Sequence, residues 1–248
     1  MVNKYRKLLK SGPWSQLKDM DTGLKKKIPS PPCQKSHNSD KKIICLKSLK
    51  SFKDYDMPIN KVIKKRRSRR NYNNEYLTIK ELSYLLWASG GFKDDKSKFR
   101  TTPSAGARYP IETYIAVNRV KKLSKGLYRY LPRGHKLIYI KKDDKIIQRV
   151  SKACFSGEFK QQKFVPESAV IFIWTAIPYR SEWRYAILAP RMILLEAGHK
   201  CQNLYLAGES IGVGICAVGA YRQEDIDNIL EVDSKKELVI YIATGGKL

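Results

Sequence analysis

The spacing of apolar residues changes several times along this chain, and each change marks an element. From Thr78 the period is helical: Thr78-Ile79-Lys80-Glu81 has the spacing of a capping box, Leu82, Leu85 and Leu86 share one face, and Gly90-Gly91 stops the helix. Glu112 to Val120 and Ser168 to Ile177 are β-branched and aromatic runs that predict strands, the second apolar enough to be buried on both faces. Between them, Leu127 to Tyr139 predicts a hairpin turning at Pro132-Arg133-Gly134, and Lys145 to Phe155 a short helix. Ala189 to Ser210 is apolar nearly all round, with small residues at Ala197, Gly198, Ala207 and Gly208. It predicts a central helix packed closely on its neighbours. Val213 to Gly219 and Leu238 to Thr244 read as strands, with a helix at Gln223 to Leu230 between them.

Helices and strands mix without a repeating βαβ rhythm, so the fold class is α+β rather than a doubly wound sheet. Residues up to Pro58 are rich in Lys, Ser and Pro, with Pro29-Ser30-Pro31-Pro32 as a stiff segment, and predict an irregular arm on the domain surface. The expected organisation is therefore a basic extension, 1–58, and one catalytic-size domain, 59–248. Lys and Arg number 49 against 23 Asp and Glu, a formal charge of +26 that attracts phosphates, nucleic acid and anionic substrates. Much of the excess is lysine scattered along the chain, which makes it background composition. The five cysteines are widely spaced and form no C-x-x-C pair, the pattern of reduced thiols rather than a disulfide framework or a zinc site. The basic start leads into no apolar signal core and no run approaches a membrane span, so the expectation is a soluble, cytoplasmic protein without membrane partners.

Two short runs carry candidate chemistry. In an extended Arg66-Arg67-Ser68-Arg69-Arg70, alternate side chains share a side, so Arg66, Ser68 and Arg70 can offer two guanidinium forks and a hydroxyl to one phosphate. The competing reading is a solvated basic face. Pro103-Ser104-Ala105-Gly106-Ala107-Arg108-Tyr109-Pro110 places small residues between stiffening prolines, which lets main chain approach a flat ring, or simply makes a turn. Gly208-Glu209-Ser210-Ile211-Gly212 matches G-x-S-x-G, but a helix ends and a strand begins there, the reverse of a nucleophile elbow. Gly212, Gly214 and Gly219 lack dinucleotide-fingerprint spacing; they serve either close helix–strand packing or a ligand. His199 on the apolar helix reads as a core histidine, and no Cys/His cluster supports a metal. Seven of the ten residues Lys61 to Arg70 are Lys or Arg, which keeps nucleic-acid binding as a non-enzymatic competitor, although no recognition motif accompanies them.

Taken in order, Arg66 to Tyr72, Leu77 to Leu82, Pro103 to Pro110, Gly126-Leu127-Tyr128-Arg129-Tyr130, Glu196-Ala197-Gly198-His199, Gln202-Asn203-Leu204 and Gly212 to Gly219 resemble the nitroreductase superfamily, in its SagB-type thiazole/oxazole dehydrogenase branch, over roughly Ile59 to Lys247. The resemblance implies a central, mainly antiparallel sheet flanked by helices and an intertwined homodimer with FMN at its interface. It further implies that Arg66, Arg67, Ser68 and Arg70 hold the phosphate and ribityl chain, and that Pro103, Ser104, Ala105 and Gly106 lie on the ring from the other subunit. Gly212, Gly214 and Gly219 would line the site, and Lys247 would add to the phosphate contacts, although Thr244-Gly245-Gly246-Lys247 departs from the family's usual Pro-Val-Gly-basic ending. Arg184-Tyr185 stands where azole-forming members resemble one another in a Lys-Tyr pair. Arginine stays protonated and cannot act as a general base, which puts azoline oxidation in doubt; it leaves Tyr185 as acid or base and Arg184 as an anion site or half of an ion pair. The implied function is FMN-dependent two-electron transfer to or from a small molecule or peptide, with NAD(P)H as a possible donor.

Overall fold

The computed structural model describes residue 6 and residues 9–38, 40–94, 96–155 and 160–248. Seven strands form one sheet in the order β1-β4-β3-β2-β5-β7-β6, and every neighbouring pair is antiparallel. They are β1 (Ile43–Cys45), β2 (Ile111–Val117), β3 (Gly126–Leu131), β4 (Lys136–Lys142), β5 (Val170–Ala176), β6 (Val213–Val218) and β7 (Leu238–Lys247). The helices are α1 (Ile59–Lys65), α2 (Ile79–Ala88), α3 (Ile146–Ala153), α4 (Tyr179–Tyr185), α5 (Ala189–Ser210) and α6 (Gln223–Leu230).

Strand periodicity builds the layers. On β5, Phe172 and Trp174 point to one core with α2 and α5, while Ile171 and Ile173 point to a second core with α3 and α6. Both faces of β5 are therefore covered, as its unbroken apolar run predicts. The α+β expectation and the capping box both hold: Thr78 Oγ1 accepts the Glu81 N–H and the Glu81 carboxylate accepts the Thr78 N–H.

Four elements depart from the sequence reading. The arm expected to be irregular contributes β1, three residues paired to β4 in a stretch too short for a strand period to show. α1 and α4 also lie where no helix is expected; each has only seven residues. On α5 the near-uniform apolarity conceals two environments. Leu204, Ala197 and Cys201 are buried, whereas Leu194 and Leu195 are 61% and 52% exposed, and Gly198 and His199 share that open face. His199 is thus a surface residue, not a core one, because it projects from the side of α5 turned away from the sheet. Among the described residues no helix is long and apolar enough to cross a membrane.

Candidate functional site

α1 ends at Arg66, whose backbone turns to ψ 124° while its N–H still donates to Val62 O. The extended chain that follows docks on β6 through an Arg69 N–H donated to Ile215 O at 2.9 Å. Gly214 makes that approach possible, since a Cβ there would stand 2.7 Å from Arg69 Cβ and 2.5 Å from Leu248 Cδ2. Tyr72 secures the run from below, its hydroxyl 2.9 Å from Arg69 O and 2.7 Å from Thr244 Oγ1. Gly246 leaves room for the Tyr72 ring.

On this frame Arg66 and Ser68 meet at one aromatic residue. The Arg66 guanidinium lies 5.5 Å from the Tyr205 ring centre, and Ser68 Oγ is 3.2 Å from the Tyr205 hydroxyl, which itself accepts the Ala217 N–H. Arg70 leans on Phe164 at 5.6 Å, and Arg69 is paired with Glu209 at 2.8 Å. Arg66, Arg67 and Arg70 form no ion pair among the described residues. A cavity of about 510 Å³ opens over Arg67, Ser68, Arg69, Arg70, Asn71 and Leu248. Gly212 and Gly219 stand at the two ends of β6, where a Cβ would meet nothing within 4 Å. Guanidiniums with unspent donors beside open backbone fit a phosphate-bearing group such as FMN. Lys247, in contrast, is engaged on the Glu81 carboxylate at 2.5 Å.

The second run sits elsewhere. Pro103–Pro110 is bent by three residues of positive φ: Gly106 at 58°, Ala107 at 54° and Tyr109 at 49°. Such backbone persists only where its surroundings hold it. Here the Ala105 N–H donates to Glu196 Oε1 at 2.9 Å, the Tyr109 N–H to Ser104 Oγ at 2.8 Å, and Arg180 to Tyr109 O at 3.1 Å. Gly106 is required twice over, by its φ and by space, since a Cβ would come within 2.7 Å of the Tyr185 hydroxyl and 2.9 Å of Arg184 Cδ. The fold thus brings Gly106, Arg184 and Tyr185 together. Trp183 ties this cluster to the arm: Gly23 lies against its ring, Ile28 O accepts its Nε1–H at 3.0 Å, and the Arg108 guanidinium lies 5.0 Å from the ring centre.

Behind the run, Glu196 and Lys200 stand one turn apart on α5, 6% and 5% exposed, facing a small void with Arg100, Thr102, Pro103 and Tyr109. Burial pushes the Glu196 carboxyl up to about 7, against the Ala105 N–H, the Ser104 hydroxyl and the charges of Lys200 and Arg100. Burial, then the Arg100 charge, pushes Lys200 down to about 7, while Glu112 and Glu196 oppose the fall. A carboxyl raised by folding stabilises at low pH and loses that contribution as pH rises through about 7. An ammonium lowered by folding stabilises at high pH and loses that contribution as pH falls through about 7. The pair's contribution is therefore least near neutrality. Urea unfolding of the Glu196→Gln/Lys200→Met double variant is expected to gain most over the unsubstituted protein near pH 7 and less at pH 5 and 9; a constant difference across that range would contradict these shifts.

The two clusters share no hydrogen bond or ion pair among the described residues, so within one chain the Arg66–Arg70 run and the Gly106 run remain separate half-sites. Sequence reasoning gave no role to Tyr205, Lys200 or Glu112, and quoted Glu196 only as part of the family resemblance. Glu196 and Lys200 did leave a signal, two opposite charges at i,i+4 within the helix.

A seven-stranded antiparallel sheet with helices on both faces defines the α+β class. Residues 63–246 match the model of the Nitroreductase family, and the chain belongs to that family. Protein MJ1384 of Methanocaldococcus jannaschii, a nitroreductase by assignment only, is 33% identical over 193 residues, 78% of this chain and 93% of that protein. Among solved structures, a chain of the E. coli microcin synthetase McbBCD complex, with truncated pro-MccB17 bound, superposes with a TM-score of 0.63 at 18% identity over 86% of this chain and 85% of its own. A Desulfovibrio desulfuricans protein, also a nitroreductase by assignment and solved in complex with FMN, gives 0.50 at 17% identity over 77% and 87%. These two likenesses are ones of fold, and the nitroreductase-like fold is the one the sequence resemblance implies.

Proposed function

We propose that this protein is an FMN-dependent oxidoreductase that acts as a homodimer and transfers two electrons between a reduced donor, NAD(P)H, and an organic acceptor. The observation that carries the reading is the pair of guanidiniums at Arg67 and Arg70, in no ion pair among the described residues and lining one open cavity with Ser68, while Arg66, equally without an ion pair, lies beside Ser68 on the Tyr205 ring. In this reading they hold the cofactor phosphate, with Gly212, Gly214 and Gly219 lining the approach and Lys247 lending charge from the Glu81 pair. The FMN-bound neighbour supports the cofactor by fold.

Pro103, Ser104, Ala105 and Gly106 would lie on the ring from the second subunit. The exposed apolar residues Ile187, Leu194 and Leu195, at 70%, 61% and 52%, support such a pairing. When bound, FMN supplies the reversible two-electron chemistry. The chain's own residues bind and orient. Glu196 fixes the Ala105 peptide, Tyr185 offers a hydroxyl beside Gly106 that can give or accept a proton, and Arg184 holds permanent positive charge there.

Peptide dehydrogenation is a second reading, favoured by the likeness to the peptide-bound microcin synthetase chain. Oxidation of NADPH by nitroaromatic acceptors separates it from reductase activity. The first test is the visible spectrum of the purified protein, before and after denaturation. A yellow protein that releases about one FMN per subunit is expected, as one phosphate site per chain requires. A colourless protein that takes up no added FMN, but binds nucleic acid in a steeply salt-dependent way, would overturn the reading.

A further inference from the structure

We infer that Arg108 and Arg184 form an anion-binding fork over Gly106 that selects a reactant carrying a carboxylate or phosphate; this rests on the oxidoreductase reading above and supplies its substrate class. Arg108 Nε–H donates to Gly106 O at 3.0 Å. Arg184 approaches the same residue from α4, its Nε 3.0 Å from where a Gly106 Cβ would stand. Two permanent cations thus converge on one glycine.

Both are held in place by aromatic faces rather than by acids. The Arg108 guanidinium lies 5.0 Å from the Trp183 ring centre and that of Arg184 5.7 Å from Tyr185. Among the described residues neither has an ion pair, and Glu182, the acid of the same helix, pairs with neither. Two other arginines of this chain are neutralised by acids. Arg180, four residues before Arg184, is buried on Glu112 at 2.7 Å, and Arg69 is paired with Glu209 at 2.8 Å. Arg184 is exposed and Arg108 half-buried. Arg108 spends one donor on Gly106 O, which fixes its plane and leaves its terminal N–H groups for a ligand. Like charges brought together with free forks favour an oxyanion, which guanidinium matches two oxygens at a time. Within one chain the proposed phosphate run shares no hydrogen bond or ion pair with this cluster, so the fork is a second anion site on each subunit.

An oxyanion at Gly106 has two sources, a carboxylate on the acceptor or the 2′-phosphate of NADPH. Turnover of the FMN-loaded protein is to be measured with 4-nitrobenzoate against 4-nitrobenzyl alcohol, and with NADPH against NADH, for the unsubstituted protein, Arg108→Gln and Arg108→Lys. Calorimetric binding of 4-nitrobenzoate and of NADP⁺ runs in parallel and needs no turnover. The expected result is a preference for the charged member of one pair that falls about tenfold in Arg108→Gln, the scale of one charge-assisted contact, chiefly through KM, with Arg108→Lys intermediate. A fall confined to the nitrobenzoate ratio assigns the fork to the acceptor, and one confined to the nicotinamide ratio assigns it to the donor. Ratios and affinities unchanged within twofold, with FMN still bound and circular dichroism unaltered, overturn the fork. Absence of FMN in the unsubstituted protein strikes the oxidoreductase reading instead, and calorimetry still decides the fork.

Discussion

Replacing Arg66 and Arg70 together by alanine is expected to release FMN from the protein. Each guanidinium donates charge-assisted hydrogen bonds worth about 1.5–3 kcal/mol, so losing both weakens binding by about two to four orders of magnitude. The folded chain should survive, because both side chains lie against one face of an aromatic ring, Tyr205 or Phe164, and neither is buried in an ion pair. FMN affinity read from fluorescence recovery, beside a thermal melt of the flavin-free protein, separates the two effects. FMN affinity equal to that of the unsubstituted protein would remove the phosphate assignment, and a collapsed melt would show that Arg66 and Arg70 act through structure instead.

The second large effect concerns Glu112, which lies at the centre of a buried polar network. Its Oε1 accepts from Arg180 at 2.7 Å and from the Lys35 N–H at 2.7 Å, and its Oε2 is 3.8 Å from Arg129. Arg180 and Arg129 are each 3% exposed. Glu112→Ala leaves two buried cations without their carboxylate, a loss of about 3–5 kcal/mol, or about 10 °C in melting temperature for a chain of this length. Glu112→Gln keeps the acceptor oxygen and should cost clearly less. A melt shifted by under about 2 °C in the alanine variant would mean that water or rearrangement satisfies Arg180. Because Arg180 also holds Tyr109 O, any loosening should reach Gly106 and Tyr185, and FMN affinity should fall alongside stability.

Most of the sheet was legible because its periods are local. The capping box at Thr78, the alternation on β5 and the hairpin at Pro132-Arg133-Gly134 each sit within a few residues of their cause. β1 was not legible, since Ile43–Cys45 owes its state to β4, some ninety positions later. The open face of α5 was hidden for a related reason: apolar composition signals burial, yet Leu194 and Leu195 face outward on a single chain. In the candidate site, Arg66, Ser68 and Gly106 stood out by residue type. Tyr205 did not, because a tyrosine in a helix gains its role only from what the tertiary fold places against it.

The arm sets an order of assembly. Lys35 meets Glu112 and Tyr114, 77 and 79 residues away, and Glu237, 202 residues away. Each contact closes a long loop, and such contacts are slow to form. During synthesis Lys35 emerges long before Glu237, so the arm must wait for nearly the whole sheet before it can lock. α4 rests on that arm through Trp183 and carries Tyr185, so its final setting is expected late in folding.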